Sequence, residues 1–334
     1  MNLRAVVAAG ILALVPAAAP AEDPAPERFT LRLAPSPDRP VRFVHSSETV
    51  QESKAIGRVT AQYEIETALR VLRAVPGGGF AAEFSMGRGS TRMENPALGN
   101  LDYETTKALP EKQVLRLMAY AVASLADTSL PVELDAGGRV HRVDGIDRAR
   151  AAREAALSPS PLEKMMIHMT LTSHNLARLV DGMLVATPLP TESIAVGHRW
   201  EDEDPVYGVS RQFDMRIRQT LRIESLDAKE AAVRGEGKIL VKAGESLPGA
   251  KSLEVQPSEG PVTTTLRLSR ADGLPIDVEM RSSVTIGTRV GPIEQTTVSR
   301  LRRVEEWPSR GAADGKPRDR SGPVPTSPEG GEGK

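Results

Sequence analysis

Alternation of apolar and polar residues dominates the first third of the chain. Residues 59–71 carry mostly apolar side chains on one side and mostly polar ones on the other, as a strand with one buried face does. The Val-Pro-Gly-Gly-Gly sequence at 75–79 predicts a turn, after which residues 80–93 return as the hairpin partner. Residues 41–50 predict a neighbouring strand. This part of the chain is therefore expected to form an antiparallel sheet.

The second half of the chain repeats this plan. Residues 213–241 predict a long hairpin, residues 262–286 a second hairpin turned at an Asp-Gly pair, and residues 296–304 a closing strand. Residues 131–143 predict the corresponding short hairpin of the first half. Two explanations stay open at this point: a twofold internal repeat, or the likeness that any two antiparallel sheets share.

Helical periodicity occupies the region between the two β-rich halves. After Pro110, apolar residues recur every three or four positions, which predicts a helix up to Leu125. The sequence Ser160-Pro-Leu-Glu163 is typical of a capping box and predicts a second helix, whose apolar stripe continues to Met183. A shorter, alanine-rich helix is predicted over 146–156. Because a sheet with one apolar face must be covered, these helices are expected to pack on it.

Together the elements predict an α+β fold, with a large, curved, mostly antiparallel sheet of about eleven strands and two or three helices packed on its concave face. The domain is expected to span residues 28–307. It would comprise a β-rich half at 28–105, an insert with helices and a short hairpin at 106–190, and a second β-rich half at 191–307. The composition of residues 308–334 predicts a disordered tail, and residues 22–27 a short disordered segment.

The first 21 residues follow a different pattern. Arg4 precedes a run of small apolar residues at 5–15, and Ala19-Pro-Ala21 supplies a small-x-small cleavage site. This arrangement is typical of a secretory signal peptide, and the apolar run is too short to span a bilayer. We therefore expect removal of residues 1–21, a periplasmic or secreted location, and no transmembrane segment in the mature chain.

Composition narrows the classes of function. The chain carries 43 Lys and Arg residues against 44 Asp and Glu residues. Its net charge is therefore close to zero and does not favour binding to nucleic acid or to an anionic membrane surface. It contains no cysteine, which excludes disulfides, thiolate metal sites and a lipid-modified cysteine. With five Phe, four Tyr and two Trp, it offers few aromatic platforms for sugars or single-stranded nucleic acid.

Recognised catalytic and metal-binding patterns are missing from the sequence. His168 and His174 lie six residues apart, which places them on different helix faces, unlike the i, i+4 pair of a zinc helix. The acidic run at 201–204 lacks the glycine and spaced acids of a calcium loop, and is interpreted as a solvated loop. We therefore predict no enzymatic activity, no cofactor and no metal site.

The most distinctive chemical pattern lies in the second helix, where Met165, Met166 and Met169 surround His168. Thioethers are ligands for Cu(I), whereas methionine at helical spacing usually fills an irregular core. A third interpretation is an adaptable groove for lipid or peptide. The predicted ligand-binding residues are the apolar stripes of the two helices: Leu117, Met118, Ala121, Met165, Met166 and Met169.

Two functional classes remain. The first is an exported, non-enzymatic envelope protein that holds a lipid or another apolar small molecule between sheet and helices. The second is a structural or assembly module that binds an envelope protein through strand edges or an apolar patch. A carrier requires an internal cavity, whereas a module requires a filled core with an exposed apolar patch or an open edge. The ligand, the partner and the oligomeric state do not follow from the sequence.

The string Gly197-His-Arg-Trp200, which follows Pro188-Leu-Pro190, is the most idiosyncratic local sequence. Together with the Asp135 turn and the second-half hairpins, it resembles a family of bacterial secreted proteins and lipoproteins of unknown function. These are built as paired β-rich halves, with a Val-Gly-x-x-Trp string opening the second half. The resemblance covers roughly residues 42–306 and implies no activity; the lipoprotein members carry a cysteine that this chain lacks. At the level of fold, a curved sheet closed by helices is similar to periplasmic lipoprotein carriers and related lipid-binding factors.

The predicted signal peptide is directly testable. When the full chain is expressed in a bacterium, N-terminal sequencing of the exported protein should begin at Glu22 or within a few residues of it, because cleavage follows a small-x-small site. Recovery of Met1 at the amino terminus of protein confined to the cytoplasm would contradict export.

Overall fold

The computed structural model describes residues 28–31, 33–37, 39–55, 57–184, 190, 192–205, 213–243, 255–289 and 291–307. The predicted signal peptide (1–21), the segment 22–27 and the predicted tail (308–334) lie outside these residues. Thirteen strands are described: β1 Val41–Ser53, β2 Gly57–Ala74, β3 Phe80–Glu94, β4 Leu101–Glu104, β5 Thr128–Leu134, β6 Val140–Val143, β7 Arg199–Pro205, β8 Phe213–Leu226, β9 Glu230–Ala243, β10 Val255–Gln256, β11 Ser258–Ser269, β12 Pro275–Thr288 and β13 Gly291–Val304. The described helices are α1 Gln113–Ala123, α2 Ile146–Leu157, α3 Pro161–Thr170 and α4 Ser173–Leu184.

The strands form one open, curved, antiparallel sheet, which confirms the predicted α+β class. Its order is β6-β5-β3-β2-β1-β13-β12-β11-β9-β8-β7, with β4 added beside β3 and β10 beside β12. Both long hairpins predicted from alternation are present, as β2–β3 and β8–β9. The two halves are joined at the centre, where β1 pairs with β13 from Arg42 opposite Val304 to Glu52 opposite Glu294. Each helix among the described residues falls short of the length and hydrophobicity that a membrane-spanning helix needs.

The number of helices differs from the prediction of two or three. The apolar stripe predicted to run continuously to Met183 is interrupted at Leu171, where the backbone leaves the helical region and the side chain is fully buried. The Thr172 hydroxyl then accepts a hydrogen bond from the Asn175 amide at 3.1 Å. A local side-chain acceptor of this kind begins a new helix, so the segment forms α3 and α4 rather than one long helix.

The acidic run at 201–204 is part of strand β7, which corrects its interpretation as a loop. Glu203 is exposed and pairs with the Arg218 guanidinium of β8 at 2.8 Å, whereas the Asp202 side chain is buried. The strand starts at the Val-Gly-x-x-Trp string. There Gly197 has a φ of +88°, its amide donates to the Ile223 carbonyl at 2.9 Å, and Trp200 packs against the core. The string therefore determines where β7 begins and holds that start beside β8.

The curvature is greatest around β11. Cα atoms of β9 and β12 come within 8 Å of each other although β11 lies between them, closer than the roughly 9.5 Å of two strand spacings in a flat sheet. Two glycines in this region lie against the backbone of the adjacent strand, Gly237 of β9 against β8 and Gly260 of β11 against β12. A Cβ at Gly237 would lie 2.0 Å from the Arg218 carbonyl oxygen, and one at Gly260 would lie 1.9 Å from that of Ser283. No larger residue fits either position without moving the neighbouring strand.

The curl brings the two edges of the sheet together. Arg139, just before β6, forms an ion pair with Asp202 on β7 at 3.5 Å. Helix α4 lies beside the same edge, where the Asp181 carboxylate accepts a hydrogen bond from the Val140 amide at 2.7 Å. Strands from opposite ends of the sheet therefore share one core with the helices.

Side chains fill the concave face of the sheet where helices α3 and α4 cover it. Fully buried side chains from α3, α4 and the segment between them pack against strands of both halves: Ile167, Leu171, Leu176, Val180, Phe43, Leu69, Phe84, Leu221, Ile223 and Leu268. A second cluster lies in the strongly curled half: Ile217, Ile239, Val241, Val255, Val262, Val284 and Ile286. The structure thus places tightly packed side chains between the sheet and helices α3 and α4.

The glycine at the curl provides a stability test. Gly237→Ala should lower the free energy of unfolding by at least about 2 kcal/mol, because the new methyl group overlaps a backbone carbonyl that cannot move alone. The control is Glu236→Ala, an exposed neighbour, which should change it by no more than about 0.5 kcal/mol. Urea unfolding of both variants measures the difference. Equal effects would show that the close approach at Gly237 does not require glycine.

Candidate functional site

Helices α1 and α3 lie side by side, and each buries one face. On α1 the buried residues are Ala119, Tyr120 and Ala123, and on α3 they are Glu163, Ile167 and Thr170. The buried faces therefore include a carboxylate and a phenol rather than the methionine stripe.

The carboxylate of Glu163 organises the contact between the two helices. It accepts the Ser160 amide at 2.7 Å, forms an ion pair with Arg116 at 2.7 Å, and accepts the Tyr120 hydroxyl at 3.4 Å. Burial by itself raises the pKa of Glu163, but the hydrogen bonds from Ser160 and the charge of Arg116 outweigh it, so the pKa is lowered. Burial raises the pKa of Tyr120. Glu163 is thus a charged anchor between α1 and α3.

Because these polar groups occupy the contact, the apolar stripes of both helices reach the surface. Positions i, i+3, i+4 and i+7 share one side of a helix. The exposed fractions are 39% for Val114, 41% for Leu162 and 49% for Met165. We call the set the helix patch, which consists of Val114, Leu117, Met118 and Ala121 on α1 and Leu162, Met165, Met166 and Met169 on α3.

All six predicted ligand-binding residues belong to the helix patch. Met165 is exposed, whereas Leu117, Met118, Ala121, Met166 and Met169 are half-buried. Met118 also packs against the buried cluster of Leu101 and Tyr103, and Met166 against the main core. The structure therefore brings the six residues onto two contacting helices, with a surface that is accessible from solvent.

Two cavities are formed by other described residues. A polar groove of about 590 Å³ crosses strands β13, β1, β2, β3 and β4, and includes Glu48, Glu64, Arg92 and Arg300. A smaller one of about 410 Å³ lies at the β2–β3 and β5–β6 turns, beside Arg73 and His141. None of the six predicted residues lines either cavity.

Sequence reasoning missed a polar layer on the concave face. His45 lies in β1 beside the Tyr63 ring, with centroids 5.3 Å apart, and burial lowers the pKa of His45 to about 4. The imidazole is therefore neutral at pH 7. Because His45 lies two residues after Phe43 in a strand, the alternation of side chains could have predicted that both point to this face. Elsewhere in the layer, the Thr264 hydroxyl donates to the Gln219 side-chain oxygen at 2.8 Å. Within the described residues, no three His, Asp or Glu side chains are grouped as a metal site.

The family of unknown function DUF6263 matches residues 78–275, which is more than half of the chain, and the chain belongs to this family. This agrees with the resemblance to a family without known activity. No curated protein matches the chain in sequence.

Two solved structures are weakly similar to this chain, each at 9% sequence identity. One, described as lipid-protein interactions in lipovitellin, has a TM-score of 0.41, with 82% of this chain and 26% of that chain covered. The chain thus spans about a quarter of the lipovitellin chain. The other is an outer membrane channel from Pseudomonas putida F1, with a TM-score of 0.25, where 84% of this chain and 99% of that chain are covered. Likeness at this level does not extend to function.

The Glu163 anchor predicts a specific pH dependence. Because the pKa of Glu163 is lower in the folded chain, its contribution to stability is present above the unfolded value of about 4.3 and is lost as the pH falls through the folded value. Glu163→Gln should therefore lower the free energy of unfolding by about 1–3 kcal/mol at pH 7, and by less at pH 3. Urea unfolding at several pH values measures this. Glu111→Gln, an exposed control, should have little effect; a pH-independent cost of Glu163→Gln would contradict the charged anchor.

Proposed function

We propose that the chain is an exported, non-enzymatic envelope protein that docks an apolar segment of another envelope protein through the helix patch. The observation that carries this proposal is the exposure of Val114, Leu162 and Met165 on two helices that contact each other through the buried carboxylate of Glu163. Single exposed apolar residues are ordinary, whereas several of them on two contacting helices are typical of an interaction surface. The pattern of residues 1–21 supports export.

The chemistry of the helix patch suits a protein segment. Methionine side chains are unbranched and polarisable, so a surface that carries three of them on α3 adapts to partners of different shape. An amphipathic helix laid along α1 and α3 would place its own apolar residues against the helix patch, as in other helix-in-groove contacts. Burial of one Met or Leu side chain contributes about 1.5–3 kcal/mol, so a few such contacts support a specific complex.

Two alternatives are less well supported. A carrier that holds a lipid between sheet and helices needs space there, but Ile167, Leu176 and Val180 are fully buried in the core at that position. Docking through the β7 edge would bring a partner strand beside the exposed acids Glu201 and Glu203, and charged side chains discourage edge pairing. Neither objection applies to the helix patch, which is exposed to solvent and consists of apolar residues.

The test is site-specific photo-crosslinking in the native envelope. A photoreactive residue at Met165 should give a discrete protein adduct. The same residue at Leu72, which is 52% exposed on β2 and lies outside the helix patch, should not. Leu162→Glu should lower the adduct yield at Met165 about tenfold, because docking would desolvate an unpaired charge. Equal adducts at both positions, or adducts with lipid alone, would contradict protein docking.

A further inference from the structure

One exposed face of α3 carries two thioethers and an imidazole at close spacing. Met165 lies one turn before both His168 (i+3) and Met169 (i+4), so its Cβ atom is about 5–6 Å from that of each, and the adjacent residues His168 and Met169 flank it. The Met165 side chain is 49% exposed and that of His168 is 46% exposed, while Met169 is half-buried. The exposure of Met165 is incompatible with a role as core filling.

The helix that carries these residues is held firmly. The capping box at Ser160 and Glu163 fixes its start, and Ile167, on the opposite side, is fully buried in the core. Met166, at the more buried edge of the helix patch, is half-buried and packs against the core, so it is not part of this group. The three residues therefore form a separate group at the surface, on a backbone that does not need to move to present them.

The imidazole of His168 is already oriented by a carboxylate. His168 Nε2 lies 2.6 Å from Glu154 Oε1 on α2, and Lys164 Nζ lies 2.6 Å from the other oxygen of Glu154. When Nε2 donates its proton to Glu154, Nδ1 keeps the lone pair that a metal ligand needs. A carboxylate behind a histidine is a common second partner in metal sites.

Thioether and imidazole ligands together select soft cations. Methionine sulfur binds Cu(I), imidazole binds copper as well, and neither ligand suits Mg²⁺ or Ca²⁺. The chain has no cysteine, so no thiolate elsewhere in it competes for such an ion. We propose that Met165, His168 and Met169 form a surface binding site for a soft monovalent cation of the Cu(I) type.

The test is a titration of the purified mature chain with Ag(I), a redox-stable probe, and with Cu(I) under anaerobic conditions against a chromogenic Cu(I) chelator. One ion should bind per chain, and the ring nitrogen resonances of His168 should shift when Ag(I) is added. Met165→Leu, Met169→Leu and His168→Ala should each weaken binding about tenfold or more. Met280→Leu, in β12 and remote from α3, is the control and should bind as the parent does.

Two further variants separate positioning from folding. Glu154→Gln keeps an acceptor for His168 and should retain binding, whereas Glu154→Ala should weaken it. Unfolding midpoints of all variants establish that each is folded. The proposal is overturned by the absence of a single tight site, by affinity that survives in the folded Met165→Leu and His168→Ala chains, or by equal competition from Mg²⁺. The titration contains no partner protein, so its result is independent of whether the helix patch docks one.

Discussion

The pairing of β1 with β13 is the constraint on which the rest of the molecule depends. It joins residues about 250 positions apart in sequence, and side chains reinforce it: Ser299 with Ser47 at 3.2 Å, Thr49 with Thr297 at 3.2 Å, and Gln51 with Gln295 at 2.9 Å. Closing so long a loop costs chain entropy before any contact offsets it. Once the pairing forms, the two β-rich halves become one sheet, and the helical insert between them lies at the opposing edges.

Because the sheet is strongly curved, it encloses a space on its concave side. At Gly237 and Gly260 the backbone of the adjacent strand approaches to distances that any side chain would block. The curl brings Asp202 of β7 to Arg139 beside β6, and α4 lies at that edge. The space inside is then filled by α3 and α4. Filling this space leaves α1, most of α2 and the outer side of α3 exposed.

Much of the fold could be predicted from local patterns. Alternation located the long hairpins, and the Ser160 capping box located the start of α3, because both are properties of short segments. The β1–β13 pairing and the meeting of β6 with β7 could not be predicted, since they depend on contacts between distant segments. Strand β7 was missed because its acids look solvated, although Asp202 faces inward and is buried.

The six residues predicted to bind a ligand lie on α1 and α3, but no sequence pattern indicated which way they face. An apolar stripe ordinarily predicts the buried side of a helix. Here Glu163 reverses that expectation, because its capping role places it where Arg116 and Tyr120 can also reach it. A sequence reader could have noticed that Arg116 and Tyr120 are one turn apart on α1. Nothing local, however, showed that their common partner lies on another helix.

The two proposed uses of α3 draw on the same property of methionine, a soft thioether on a flexible chain. They also oppose each other. A cation bound by Met165 and Met169 would place a positive charge in the helix patch and occupy the side chains that an apolar partner contacts. Burying that charge without a counterion is costly, so metal binding would weaken docking. By thermodynamic reciprocity, docking would weaken metal binding by the same factor. The helix patch would thus link the availability of a soft metal to the assembly state of the protein.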